Sequence, residues 1–497
     1  MTDELLEAWL RCERRAWLER HRPELRSPEA GLAQYLHEQR ADLRGAYRAL
    51  FVAANALPER ARDLADNGTP DAAATVRDGP GFLPDASFEL AEGGAAALTG
   101  MPLRGHVDGA RRLPGGWALD VIAAGTRARP HHIRRLAFGR SLAEANGWLV
   151  HSSLVVHVAR DRDPKGPPLR LQDVTAAAAE EQRRLPRRLE ATAATLRAGA
   201  EPRTDVGTHC HRPSPCPFVA HCWSRYGEHS IFQLPGLSRR TRDAFRSAGW
   251  SDARHLPRRP PGVTAAERQA LADARGRGVR VDLDALRAGL DHLAPPVAYL
   301  DMEFATPAVP WVPGTAPFEP LPFQLSLHLE GADGTVTHVG HLHEGPASDP
   351  RPAIAAALVE ALTGAGSVVV YDAAAEVSLL AGLAAAMPAA APTLDRARAR
   401  TWDLLALVRT AVRHPGFGTG WGLKRVAAAL APGSYADVAL ADGLAAQATW
   451  RRFLRSGDAK LREQLERYCE ADSRALLTIV RVLRRWAEAG APRAGEG

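Results

Sequence analysis

The stretch 297-VAYLDMEFA-305 decides how the C-terminal part of this chain is read. In an extended strand residues two apart share a face, so Asp301 and Glu303 project side by side while Leu300, Met302 and Phe304 point the other way. Two like charges on an otherwise apolar strand repel, and a cation between them relieves the repulsion. Two further strands follow, 322-PFQLSLHLE-330 and 335-TVTHVGHLH-343. Then come a helix over about 351–363, a buried strand 367-SVVVYD-372 and a helix carrying Glu376. The last long helix, Asp458–Ala489, contains Tyr468-Cys469-Glu470-Ala471-Asp472. Tyr468 and Asp472 are four apart and lie on one helical face.

A three-strand meander, a helix, a buried strand and further helices resembles the RNase H-like exonucleases of the DnaQ type. The acids fall on the first strand, after the fourth and on the last helix. Within that superfamily Tyr-x-x-x-Asp is similar to the DEDDy subgroup, and Arg467 stands where the His subgroup would need His. The resemblance covers about residues 296–489. It implies that Asp301 and Glu303 form the first motif, Glu376 supplies the acid of the second, and Tyr468 with Asp472 forms the third. Such sites hold two divalent ions about 4 Å apart, and hard oxygen donors suit magnesium or manganese. Asp301, Glu303, Glu376 and Asp472 would be the metal ligands, and Tyr468 would orient the attacking water. The second motif departs from its usual Asn-x-x-Phe-acid: it reads Asp372-Ala373-Ala374-Ala375-Glu376. Asp372 adds a fifth carboxylate, and Asp403 in 400-RTWDLLAL-407 is either near the metals or a helix cap.

The chain has 497 residues, enough for roughly three domains. Its composition, 45% hydrophobic and 24% charged, is that of a folded globular protein and excludes a disordered tail or a small disulfide scaffold. The start MTDELLEAW is acidic where a signal peptide is basic, and Pro388 and Pro392 break the longest apolar stretches. A cytoplasmic protein without a membrane span is expected. A net charge of +6 and pI near 9.3 lean toward polyanionic partners, DNA or RNA. Almost all the basic residues are Arg, with Lys only at 165, 424 and 460.

The first part of the chain reads as helices Asp3–His21 and Gly31–Asn55, then 105-GHVDGARRL-113, a turn at Pro114-Gly115-Gly116, 117-WALDVIA-123, a helix His132–Gly147 and the strand-rich 148-WLVHSSLVVHVA-159. A long helix over about 174–199 leads to 209-HCHRPSPCPFVAHCW-223, and a lone Cys12 sits in 9-WLRCERRAWLE-19. Four thiolates at Cys12, Cys210, Cys216 and Cys222 suffice for a tetrahedral zinc or a cubane iron–sulfur cluster. Zinc with His209, His211 or His221, or reduced cysteines without metal, are the competing readings. Cys469 reads as a packing residue tied to the carboxylate motif.

This cysteine pattern resembles the iron–sulfur type of RecB-like nucleases, whose PD-(D/E)XK restriction-endonuclease-like fold is stapled by a 4Fe-4S cluster. The whole chain looks like bacterial RecB-like nucleases carrying a C-terminal domain of unknown function. That fold needs an Asp, then an acid-x-Lys on the next strand. Asp108 fits the first position, and His37 in 34-QYLHEQR-40 resembles an upstream His of the metal shell. If Asp120 is the next acid, however, the Lys position is Ile122; a slip of one makes the pair Val121 and Ala123. The expected Gln-x-x-x-Tyr has become Gly139 and Ala143, and Arg127 or Arg129 is a poor substitute for Lys. No Lys precedes residue 165, so this module is expected to have kept its fold and lost catalysis.

The expected organisation is α/β multidomain: a RecB-like module over 1–228, a helical linker over 229–295, and a DEDDy exonuclease domain over 296–490. In the linker, 234-LPGLSRRTRDAFRSAGW-250 resembles a helix-hairpin-helix, with Ser238 in place of a glycine, or is a plain helical connector. The expected activity is metal-dependent 3′-5′ hydrolysis of DNA or RNA, the N-terminal module serving as a binding platform. Arg14-Arg15, Arg134-Arg135, Arg183-Arg184 and Arg187-Arg188 are its candidate phosphate contacts. The alternative is a non-catalytic nucleic-acid-binding or assembly protein with two degenerate nuclease folds.

Overall fold

A computed structural model describes residues 1–27, 31–52, 81–160, 168–212, 214–227, 229–232, 234, 236–275, 278–346, 348–417 and 420–490. The end of the expected helix at 53–55, Lys165, Pro235 and the expected boundary residue Glu228 lie outside them. The chain is mixed α/β and divides into two compact units. One comprises Met1–Glu29, Leu36–Cys222 and Pro307–Glu319, and the other Ala30–Tyr35, Trp223–Thr306 and Pro320–Gly497. No helix among the described residues is long and apolar enough to cross a membrane.

The first unit holds a five-stranded sheet in the order β1 (Phe82–Leu90), β2 (Leu103–Leu113), β3 (Gly116–Ala123), β4 (Val150–Val158) and β5 (Leu169–Asp173). All neighbours are antiparallel except β3 and β4, which are joined by a crossover through helix Pro130–Ala145. The turn at Pro114–Gly116 is the expected one, and Gly115 takes φ 83°, a conformation that favours glycine. The strand signals missed both edges. β1 contains Pro84 and Asp85, the latter at φ 51°, and such breakers are tolerated only where one side of a strand is unpaired. β5 is exposed along most of its length, so no apolar alternation marks it.

Helices Pro130–Ala145 and Thr175–Arg197 cover one face of this sheet through Leu136, Phe138, Leu142, Leu185 and Leu189. Leu43 and Tyr47 of helix Gly31–Val52 pack with Phe82, Val156 and Val158. The expected single helix Asp3–His21 is two, Asp3–Arg11 and Glu13–His21, broken at Cys12, whose backbone is extended at φ −168°, ψ 117°. Cys12 N still donates to Ala8 O and Cys12 O accepts from Ala16 N, so the break redirects the chain at the cysteine with little loss of hydrogen bonding.

The second unit opens with short helices around a small core of Ile231, Leu234, Leu237, Phe245, Leu256 and Leu271. Ser238, the mismatch in the hairpin-like segment, is the N-cap of helix Arg239–Ser247, accepting from Thr241 N at 3.2 Å. Thr264 and Glu267 form a capping box: Glu267 N donates to Thr264 Oγ1 at 3.2 Å and Thr264 N donates to Glu267 Oε2 at 2.8 Å. The buried Glu267 carboxylate also accepts from Ser238 N at 3.0 Å and Thr241 Oγ1 at 2.5 Å. These bonds, that of Thr241 foremost, hold its pKa down at about 2, below the ordinary 4.5. A depressed carboxylate stabilises the fold above its unfolded pKa and loses that contribution as pH falls through the folded one. Glu267→Gln is therefore expected to lower the melting temperature at neutral pH, and the gap from wild type to shrink progressively between pH 4.5 and about 2. A gap constant over that window would show that the carboxylate charge plays no part.

Strand β6 (Arg280–Val281) pairs with β12 (Val412–Arg413). The main sheet of this unit contains β7 (Val297–Ala305), β8 (Leu321–Glu330), β9 (Val336–Leu342), β10 (Ser367–Val370) and β11 (Thr401–Asp403), ordered β11-β10-β7-β8-β9. The meander β7-β8-β9 is antiparallel, and β10 and β11 run parallel to β7. Alternation along β7 sorts its side chains between two cores. Ala298, Leu300 and Met302 pack with Ile354, Leu358, Leu379, Leu383 and Leu394 from the helices on one side. Val297 and Tyr299 pack with Leu404, Val408, Val426, Ile479 and Val480 on the other. Asp301 and Glu303 continue the second parity, so they emerge on the face covered by the last helix, Ala459–Ala489. Glu330 at the end of β8 fixes that helix by pairing with Arg481 at 2.8 Å and Arg484 at 2.7 Å.

Candidate metal centre

Asp301, Glu303 and Asp472 each present a carboxylate oxygen such that the three lie within 4.8 Å of one another. β7 supplies the first two, and Asp472 comes from the middle of the last helix. Burial comes first among the causes that push Asp301 well above the usual carboxylate range, followed by the facing charges of Asp472, Glu303 and Glu376. Glu303 is raised by burial, Asp472 and Glu376, with Lys424 opposing. Burial raises Asp472 as well. Two buried carboxylates and the half-buried Asp301 held together, with hard oxygen donors and more charge than their surroundings neutralise, fit a divalent-cation site.

Glu376 is buried on helix Ala373–Ala386 but stands outside this trio. Burial, then Asp372 and Asp403, raises it to about 7, and its Oε2 is buried with no hydrogen-bond partner. An orphaned carboxylate oxygen whose charge is felt by Asp301 and Glu303 suits the outer edge of the same site. Asp372 precedes that helix, exposed and at φ 64°, and its N donates to Asp403 Oδ1 at 3.1 Å. The same Asp403 oxygen accepts from Leu405 N at 2.9 Å, so Asp403 is a helix cap that also ties down the start of the second motif.

Tyr468 is buried one helical turn from Asp472. Cys469, fully buried between them, donates its thiol to Asp301 Oδ2 at 3.4 Å. Three neighbours of the site were not singled out in the sequence. Tyr435 donates to Asp472 Oδ1 at 2.5 Å. Lys424, on helix Leu423–Leu430, holds Leu440 O at 3.0 Å and Ala441 O at 2.8 Å and places its ammonium 4.3 Å over the Tyr468 ring. Asp442 caps helix Gly443–Ser456, and a Cβ at Gly443 would come 3.2 Å from Glu303 Oε2. The scarcity of Lys was the signal available: one of only three in the chain lies beside the carboxylates.

In the first unit the four expected cysteines come together. One pocket is lined by Cys12, Cys210, Cys216 and Cys222 with Arg11, Arg15, His209, Phe218 and Val219. All four are free of disulfides. The sulfurs do not form a group within 4.8 Å of one another. Arg11 braces the loop, donating to His209 O at 2.7 Å and Ser214 O at 2.5 Å. His221 faces Glu201 and not the pocket.

The acids of the first unit, Asp108 and Asp120, are differently placed. Asp120, fully buried on β3, is held by Arg111 at 2.5 and 3.0 Å and by Tyr47 Oη at 2.6 Å. Asp108 on β2 accepts from Ile122 N at 2.8 Å and pairs with Arg135 at 3.2 Å and Arg44 at 3.5 Å. His37 is exposed and joins no metal-binding group among the described residues. Most of the arginine pairs are also engaged internally. Arg14 pairs with Glu201, Arg15 with Glu19, Arg134 with Glu7, Arg183 and Arg184 with Glu180, and Arg188 with Glu181. Ion pairs of this kind leave those guanidinium groups less available to a phosphate than the sequence pattern implies.

Residues 298–421 match the family model described as a domain of unknown function (DUF2779). The match begins on β7 and includes Asp301, Glu303 and Glu376, and stops short of Lys424, Tyr468 and Asp472. No curated protein and no solved structure matches the chain.

Proposed function

We infer that the second unit is a metal-dependent 3′-5′ exonuclease of RNase H-like fold that hydrolyses phosphodiester bonds of DNA or RNA. The convergence of Asp301, Glu303 and Asp472 beside Tyr468 carries this reading. The sheet order, an antiparallel meander flanked by two strands parallel to its first, supports it. Magnesium or manganese ions, when bound, would neutralise these carboxylates, activate water and stabilise the leaving oxygen. The chain's own residues do the rest. Asp301, Glu303 and Asp472, with Glu376 at the edge, hold the cations. Tyr468 orients the attacking water, Tyr435 fixes the Asp472 carboxylate, and Lys424 holds the Tyr468 ring by its ammonium over the face.

The first unit is read as a RecB-like fold that binds nucleic acid without cutting it. The contrast between the two sets of acids supports this division: Asp108 and Asp120 are each clasped by guanidinium groups, whereas Lys424 is the cation that opposes the raised pKa of Glu303 and Asp472 in the C-terminal trio. Its cysteine pocket is read as a 4Fe-4S site, with zinc as the alternative occupant.

The deciding experiment is degradation of 3′- and 5′-labelled oligonucleotides by the purified chain with manganese. Asp301→Ala with Glu303→Ala should be inactive and Asp108→Ala active. The reverse pattern would move the active site to the first unit, and binding without cleavage by any form would favour the non-catalytic alternative. Lys424→Met should lower turnover by roughly ten- to a hundredfold, the usual cost of losing a group that orients a metal-site residue. An unchanged rate would exclude Lys424 from positioning Tyr468.

A further inference from the structure

Outside the carboxylate centre, His328 on β8 and His338 on β9 are direct cross-strand partners whose rings stack at 4.5 Å. One ring nitrogen of each and a carboxylate oxygen of Glu470, on the last helix, lie within 4.8 Å of one another. One placement of the hydroxyl hydrogens around this trio leaves a nitrogen of each ring available. Ser473 Oγ donates to Glu470 O at 3.1 Å, which uses its only hydrogen. It must therefore accept from both His328 Nδ1 at 3.0 Å and Ser326 Oγ at 2.7 Å. Ser326, having given its hydrogen to Ser473, must in turn accept from His338 Nε2 at 2.9 Å.

This arrangement of donors gives each neutral imidazole one tautomer. His328 keeps its lone pair on Nε2 and His338 on Nδ1, and among the described residues no hydrogen bond reaches either atom. Histidines that ligate a metal are oriented in this way, the distal N–H donating to a fixed acceptor. Arg474 pairs with Oε1 of Glu470, which leaves Oε2 for a ligand. We propose that His328, His338 and Glu470 form a further cation site, for a first-row transition ion such as zinc or cobalt, that clamps the last helix to the outer strands of the sheet. Two imidazoles and one carboxylate are the donor set of zinc and its neighbours, not of magnesium. His338 is exposed, so a fourth position opens to solvent. Glu470 lies between Tyr468 and Asp472, and a bound ion would hold that turn of helix in place.

The proposal does not depend on nuclease activity and is tested by cobalt binding to the full chain, with excess magnesium present to occupy the carboxylate centre. Wild type minus His338→Ala should show one equivalent of Co2+ with visible d–d bands and no thiolate charge-transfer band, since any cobalt at the cysteines cancels in the difference. Glu470→Gln, which preserves shape, should weaken the same cobalt signal at least about tenfold, and Ser326→Ala should weaken it by roughly ten- to a hundredfold. Zinc should raise the melting temperature of wild type by more than that of His338→Ala, in which the cysteine pocket and the carboxylates remain to bind it. Identical cobalt uptake and spectra in wild type, His338→Ala and Glu470→Gln would overturn the site.

Discussion

Asp301→Asn is expected to melt higher than wild type in a chelator while losing about a thousandfold in phosphodiester turnover, the several kcal/mol that a Lewis-acid site supplies. The two effects share one origin. Carboxylate oxygens some 4 Å apart repel by about 4 kcal/mol at an effective dielectric near 20. Burial and the facing acids push Asp301 upward, so part of that repulsion is relieved by protonation and the net gain from the amide should be ~1–2 kcal/mol. Asn keeps the volume of Asp and an acceptor oxygen for the Cys469 thiol, so no cavity offsets the gain. Magnesium should raise the melting temperature of wild type by mass action and raise that of the variant far less. A variant less stable than wild type in chelator, with neither protein responding to magnesium, would mean that the carboxylates are structural and the exonuclease reading wrong.

How much of this centre could be read beforehand depended on how local each signal was. Asp301 and Glu303 were legible because strand alternation is a period-two rule, and Tyr468 with Asp472 because a helix repeats after four residues. Their meeting needs the last helix to cross β7, which the order of elements implied only through a family resemblance. Glu376 shows the limit: its place on the helix after the fourth strand was legible, yet that helix leaves it outside the trio of close oxygens. Lys424 sits near the start of a short amphipathic helix and Tyr435 in a turn, where local periodicity says nothing of a distant partner, and only tertiary contact brings them to Tyr468 and Asp472. Cys12 was legible as a lone cysteine, but the helix break at that position was not, since 9-WLRCERRAWLE-19 has uninterrupted helical propensity. That break is where tertiary structure overrides propensity.

The first unit shows the opposite relation between sequence and site. The missing Lys at Ile122 led to the expectation of a module without catalysis, and the structure shows what the two acids face instead. Arg111 and Arg135 meet Asp120 and Asp108, so the charge that a cation and a lysine would share is compensated by fixed guanidinium groups. A Cβ at Gly109, opposite Asp120, would collide with Tyr47 Oη, so the glycine makes room for a buried network. What such a network contributes is a rigid scaffold.

Losing the occupant of the cysteine pocket is the change expected to cost that scaffold most. Cys12 lies at a helix break near the N-terminus, and Cys210, Cys216 and Cys222 follow the helix Thr175–Arg197. A group bound to all four closes a loop of roughly two hundred residues, which chain entropy values at about 5 kcal/mol. The backbone around the cysteines is hydrogen-bonded, Cys216 N to Cys210 O at 2.7 Å and Cys222 N to Phe218 O at 2.9 Å. Protein purified without oxygen should be brown, carry iron and acid-labile sulfide in equal amounts, and lose colour and most of that stabilisation in Cys216→Ser. Proteolysis should then open the first unit before the second, since the second holds none of the four ligands. A colourless protein with one zinc would reassign the pocket to a tetrahedral ion. Unchanged stability on substitution, with no metal recovered, would leave four reduced thiols in a pocket already held shut by Arg11, Phe218 and Val219.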